Sequence, residues 1–111
     1  MPDDHDALIR RLIGGHGTAP DEIRRRARTD STPILLVAAA LLSDQPGDLL
    51  VRAGRSATTA RDRQLVVLAA AHVAGDRDRL DALVRDHLAD HPDNLLAAWI
   101  AAQPARPATH L

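Results

Sequence analysis

The sequence predicts an all-α protein, and three observations lead to that class. The only aromatic residue is Trp99, and the β-branched residues never form the alternating runs that strands require. Alanine, leucine and arginine dominate instead, and all three are strong helix formers. The length of 111 residues suits one domain. We therefore expect a single helical domain over residues 1–103 and a proline-rich, disordered tail at 104–111.

The charged residues are nearly balanced and indicate no polyanionic partner. All 14 basic side chains are arginines, and they face 15 acids, for a formal net charge of −1. The bias toward arginine, aspartate and alanine is typical of a GC-rich bacterial genome. No cysteine is available for disulfides, metal ligands or a thiol nucleophile. The start is acidic, unlike a signal peptide, and the longest apolar run is about half of a membrane span. These features predict a cytoplasmic protein with no membrane segment.

The first helix is expected from about residue 4 to residue 13, where two glycines stop it. Its apolar side chains recur at helical spacing and are Leu8, Ile9, Leu12 and Ile13. Thr18 is the expected cap of a second helix, with Pro20 in its first turn and Ile23 and Ala27 on its buried side. The basic side chains of this helix gather toward its C-terminal end and are Arg24, Arg25, Arg26 and Arg28.

The third and fifth helices should form the interior. Residues 34–42, ILLVAAALL, are apolar all round and follow Pro33, which predicts a helix that others cover on more than one side. A short fourth helix is expected at about residues 48–55. Thr59 can then cap a fifth helix that runs to Gly75 and is also apolar nearly all round.

Asp76 is the expected cap of a sixth helix, the most regular amphipathic segment of the chain. Its apolar stripe is formed by Leu80, Leu83, Val84 and Leu88. Asp81 and Arg85 have the order and spacing of a favourable i, i+4 pair. Pro92 ends this helix, and NLLAAWIAA forms a seventh.

Residues 75–94 resemble a tetratricopeptide repeat. Gly75 and Asp76 match the Gly-Asp that the family has between its two helices, and Pro92 and Asn94 match its closing proline with a following Asn. The apolar positions of the second helix are matched in the same register by Leu80, Val84 and Leu88. Residues 64–74 resemble the first helix of the repeat, with Val67 and Ala71 at packing positions, although Leu68 stands where the family usually has glycine. The stretch TTARDRQLVVLAAAHVAGD resembles the bacterial relatives of tetratricopeptide repeat protein 38. The likeness covers about residues 31–102.

The resemblance implies six or seven short helices in antiparallel hairpins, arranged as a right-handed stack. Stacked hairpins bury each other's apolar faces and leave a concave groove for a partner. The residues implied to face that groove are Asp62, Leu65, Ala69, His72 and Val73. The expected function is therefore protein–protein interaction or scaffolding, either by self-association as a homodimer or by binding a peptide or partner protein. No enzymatic activity and no cofactor are expected.

The seventh helix is a second candidate contact. Residues 95–102 leave almost no polar side for solvent, and no helix follows to cover them. Either this helix packs against the first or third helix and closes a bundle, or it presents an apolar patch to a partner through Leu96, Trp99 and Ile100.

His87 and His91 raise the alternative of a metal site. Their i, i+4 spacing lets two imidazoles share an ion, with Asp86 or Asp90 as a third ligand. The favoured interpretation makes His87 a packed, hydrogen-bonded residue at the boundary of the core and His91 a helix-terminal cation when protonated. No metal ligand is therefore predicted.

The arginines of the second helix raise the alternative of a small DNA-binding regulator. Residues 1–30, however, contain as many acids as arginines and no aromatic residue, which favours a solvated, salt-bridged face. The sequence contains no nucleophile elbow, no phosphate-binding loop and no pair of carboxylates in an apolar setting. No catalytic residue is therefore predicted.

Overall fold

The computed structural model describes residues 4–103, which fold into helices joined by short loops. The helices are α1 (Asp4–Ile13), α2 (Ala19–Ala27), α3 (Pro33–Leu41), α4 (Gly47–Ser56), α5 (Ala60–Ala74), α6 (Arg77–Asp90) and α7 (Leu95–Ala102). No strand occurs within the described range, so the all-α prediction is confirmed there. None of these helices has both the length and the apolar composition to cross a membrane. The predicted tail, 104–111, lies outside the described residues.

α3 is the centre of the fold. Every residue from Leu35 to Ala40 is at most 2% exposed, because α1, α2, α4 and α5 all pack around this helix. The prediction of a helix covered on several sides is thus confirmed. Consecutive helices are also neighbours in space, most closely α3 with α4 and α5 with α6.

Side-chain hydrogen bonds cap the N-termini of α5 and α6. Thr59 accepts a hydrogen bond from the Asp62 backbone N–H at 3.1 Å, and Asp76 accepts one from the Arg79 N–H at 3.2 Å. Both caps were expected from sequence. Between them, α5 ends at Gly75, whose φ of 76° is left-handed and therefore favours glycine.

The predicted cap at Thr18 is wrong. Thr18 precedes α2, but its side chain makes no capping hydrogen bond. The reason is its backbone, with φ −89° and ψ −14°, which is already helical. A capping hydroxyl reaches the first-turn N–H groups from an extended backbone, so Thr18 cannot serve that role here.

α6 uses a narrower stripe than predicted. Leu80, Val84 and His87 are buried, at i, i+4 and i+7, whereas Leu83 and Leu88 are half-buried at the edges of that stripe. The predicted pair of Asp81 with Arg85 is not formed. Asp81 instead lies 3.6 Å from Arg77, one turn earlier on the same helix.

α7 packs against α1, α5 and α6. Its contact with α1 brings the two ends of the described chain together, which agrees with the closed-bundle alternative. Leu96, Ala97 and Ile100 are completely buried as a result. The large apolar side chain that α7 exposes most is Leu95, which is 42% exposed.

Candidate functional site

The groove-facing residues implied for α5 lie mostly in the core. Leu65 and Ala69 are at most 1% exposed and His72 is 8% exposed, because this side of α5 faces the bundle. They are therefore inaccessible to a partner in this structure. Asp62 and Val73 keep partial exposure, but they lie eleven residues apart, about 16 Å along the helix axis. The five residues do not form one accessible surface.

The predicted contact residues of α7 are also mostly buried. Leu96 and Ile100 have no exposed surface and belong to the hydrophobic core. Trp99 is half-buried and packs against that core. Of the predicted α7 contact residues, only the partly exposed edge of Trp99 is within reach of a partner.

The opposite side of α5 is apolar and open to solvent. Val67 is 39% exposed, Ala70 and Ala74 are exposed, and Val66 is half-buried. We call these four residues the α5 outer face. They border a shallow groove of about 390 Å³, whose far end is lined by Asp76 and Arg79 of the α5–α6 connection and α6.

The outer face continues onto α4. A Cβ atom at Gly54 would lie 4.0 Å from Val66 Cγ1, so Gly54 faces this surface. Val51 lies one turn before Gly54 on the same side of α4 and is 52% exposed. The large apolar side chains exposed in the described chain are Val51, Val67 and Leu95. Two of these therefore belong to one region. Sequence reasoning missed it because it placed Val67 at a packing position, although the all-round apolar character of α5 was the available signal.

His87 lies at a junction of three helices and is 1% exposed. Its Nδ1 is 2.8 Å from Oε1 of Gln64 on α5, and its Nε2 is 2.8 Å from Nδ2 of Asn94, the cap of α7. His87 is packed and hydrogen-bonded as predicted, but it lies in the core and not at the predicted boundary. Burial is the main cause that lowers the pKa of His87, and the neighbouring His91 adds to it.

The His87–His91 pair is not arranged as a metal site. The two rings are 5.0 Å apart between centroids and tilted by 39°. Both ring nitrogens of His87 are already engaged by Gln64 and Asn94. Within residues 4–103, no three histidine or acidic side chains are grouped so that they could share an ion.

Most of the arginines near the N-terminus form ion pairs. Arg24 pairs with Asp21 at 3.1 Å, and both Arg11 and Arg26 pair with Glu22 at 2.8 Å. The hydrogen bond from Arg11 is the largest cause that lowers the pKa of Glu22. The salt-bridged face expected from sequence is therefore present. It neutralises much of the charge on which the DNA-binding alternative depends.

A second open cavity, of about 630 Å³, lies where α2, α3 and α4 meet. We call it the α2–α4 cleft. Among the described residues, its basic side chains are Arg24 of α2, Arg28 directly after α2 and Arg52 of α4, and its acidic side chain is Asp44. Sequence reasoning could not find this site, because Arg52 is distant in the chain from the other two arginines and only the tertiary fold unites them.

Comparisons of the chain with protein-family models, with curated proteins and with solved structures gave no match.

Proposed function

We propose that this protein is a protein–protein interaction module that self-associates through the α5 outer face. The observation that carries the proposal is the solvent exposure of Val67, Ala70 and Ala74 on a helix whose other side is core. Contiguous exposed apolar surface bordered by polar residues is typical of an interaction site. The resemblance of residues 75–94 to a tetratricopeptide repeat favours the same class of function, since such hairpins bury their remaining apolar faces against further helices.

A second copy of the chain is the occupant that this surface fits. A twofold interface places the same surface patch of each copy against the other. With the axis near Ala70 and the two α5 helices antiparallel, Val66 of one copy meets Ala74 of the other, so that a large side chain faces a small one. The same arrangement brings Arg63 of one copy toward Asp76 of the other. Arg63 and Asp76 are both exposed at opposite ends of the outer face.

The small side chains of the outer face favour close packing of helices. Helix axes approach to 8–10 Å depending on the size of the side chains between them. Ala70 and Ala74 lie one turn apart, and their small side chains permit an interaxial distance near 8 Å. The exposed Val51 on α4 would extend the interface beyond α5.

The test is the molar mass of the purified protein by light scattering across a concentration series, with Trp99 emission recorded in the same samples. We expect a dimer that Val67→Asp weakens by about 10-fold or more, because an unpaired charge would be buried. Leu95→Asp is the matched control, since Leu95 is 42% exposed against 39% for Val67. Because Trp99 packs within its own chain, its emission should not change as the dimer dissociates.

Three outcomes would overturn the proposal. A monomer at every concentration up to about 1 mM would exclude self-association of useful affinity. A dimer that Leu95→Asp disrupts and Val67→Asp does not would place the interface on α7. A dimer whose dissociation shifts Trp99 emission to the red would do the same.

A further inference from the structure

The α2–α4 cleft combines guanidinium groups with an apolar floor. Ala27 of α2 and Ala39 of α3 are each 2% exposed, and their short side chains leave room between the two helices. Leu42 and Leu49 are half-buried and complete the floor. The cleft has a volume of about 630 Å³ and is open to solvent.

One arginine of the cleft is held in place by the protein itself. Arg24 donates from Nη1 to Asp21 at 3.1 Å and from Nη2 to the backbone carbonyl of Leu42 at 3.1 Å. A guanidinium has five N–H donors, so this side chain keeps donors for a ligand after both bonds are made. Arg24 therefore lines the cleft at the C-terminal end of α3.

The other two arginines have no carboxylate partner within residues 4–103. Arg52 donates a long hydrogen bond of 3.4 Å to the hydroxyl of Ser31. The guanidinium of Arg28 makes no hydrogen bond or ion pair with any described residue. In a chain with a net charge of −1, the cleft lining thus carries more positive than negative charge, with three arginines and one aspartate.

We propose that the α2–α4 cleft binds an acidic peptide segment of a partner protein, with its carboxylates on Arg28 and Arg52 and an apolar side chain on the floor at Leu42 and Leu49. Arginine pairs with carboxylates through two parallel hydrogen bonds, which gives both affinity and orientation. This site goes beyond self-association, since none of its residues belongs to α5.

The lining favours a peptide over nucleic acid. A strand of DNA or RNA needs a continuous basic track and aromatic side chains on which bases stack. The cleft has no aromatic lining residue, and Asp44 interrupts its positive charge. Its open form also differs from the enclosed pockets that bury most of a small ligand. A peptide can bind in an open cleft that contains Asp44, because the backbone N–H groups of the peptide can donate to that carboxylate.

The test is fluorescence anisotropy with two labelled probes: a peptide of alternating glutamate and leucine, and a matched peptide with glutamine in place of glutamate. The acidic peptide should bind at least about 10-fold more tightly. Arg28→Ala and Arg52→Ala should each weaken its binding by about 10-fold. Arg25→Ala, on the same helix but outside the cleft lining, should change it by less than about 2-fold. Asp44→Asn should strengthen binding, because it removes the opposing carboxylate.

Other results would overturn the site. Equal affinity for both peptides would mean that the arginines do not recognise the ligand. An equal effect of Arg25→Ala and Arg28→Ala on affinity would indicate nonspecific electrostatic attraction and not binding in the cleft. Displacement of the acidic peptide by a short single-stranded DNA, or by millimolar phosphate, would assign the cleft to phosphates. The Val67→Asp variant should bind the peptide normally, so this test is independent of self-association.

Discussion

Nε2 of His87 lies 2.8 Å from Nδ2 of Asn94 and accepts a hydrogen bond from it. Nδ1 of the same ring donates to Oε1 of Gln64, also at 2.8 Å. The amide of Asn94 cannot turn over freely, since its Oδ1 accepts the Ala97 N–H that begins α7. The neutral imidazole with its proton on Nδ1 satisfies all three contacts. One side chain thus joins α5, α6 and the first turn of α7.

Replacement of this histidine should destabilise the fold. His87→Leu leaves the buried Asn94 amide without its partner, which costs about 1–3 kcal/mol of unfolding free energy. Urea denaturation followed by helical circular dichroism measures the loss. His16→Ala is the control, since His16 is exposed in the α1–α2 loop and should change stability by less than about 0.5 kcal/mol. Equal effects of the two substitutions would contradict the structural role of His87.

The same ring should make stability depend on pH. Burial holds the pKa of His87 below its usual value of 6.5, and the charges of His91 and Arg61 lower it further. As pH falls through about 6.5, the unfolded chain takes up a proton that the folded chain does not, so the unfolding free energy should decrease. The decrease should end once pH passes below the folded pKa.

Denaturation between pH 8 and pH 5 checks this prediction, with His87→Leu as the reference. The wild-type slope should exceed the variant slope by up to about 1.4 kcal/mol per pH unit. Asp30 acts in a separate window, because hydrogen bonds from Thr32 and His5 lower its pKa from 3.8 to about 2. Its contribution is present above pH 3.8 and lost as pH falls toward 2. Identical slopes above pH 5 would refute the assignment to His87.

Thr59, which caps α5, and Thr18, which precedes α2 without capping it, offer a matched comparison. Thr59→Ala should lower the unfolding free energy by about 1 kcal/mol, since it removes the hydrogen bond to the Asp62 N–H. Thr18→Ala should cost less than about 0.5 kcal/mol, because the Thr18 hydroxyl makes no cap bond. Thermal or urea denaturation of both variants measures the difference. A larger loss for Thr18→Ala would show that the second helix is capped as the sequence suggested.

Local signals made the helices predictable, and tertiary packing decided the surfaces. The caps at Thr59 and Asp76 depend on atoms within three residues, so sequence alone was sufficient. α5 is apolar on almost every side, and which side it buries depends on where the other helices lie. The residues predicted to face a partner, including Leu65 and Ala69, therefore turned out to lie on the buried side of α5. The α2–α4 cleft needed the same tertiary knowledge to unite Arg28 with Arg52.

Trp99 distinguishes a structural role of α7 from a role in association. It is half-buried and packs against the core, while its neighbours Leu96 and Ile100 are fully enclosed. Trp99→Ala should lower the unfolding free energy by about 2 kcal/mol, less than the 3–5 kcal/mol typical of a fully buried aromatic residue. The dimer dissociation constant should stay within about 2-fold of wild type, as measured by light scattering at a temperature where both proteins are folded. Because the core covers part of the indole, wild-type emission should be blue-shifted relative to the unfolded chain at every concentration. A variant that keeps its stability but no longer dimerises would instead assign the interface to α7.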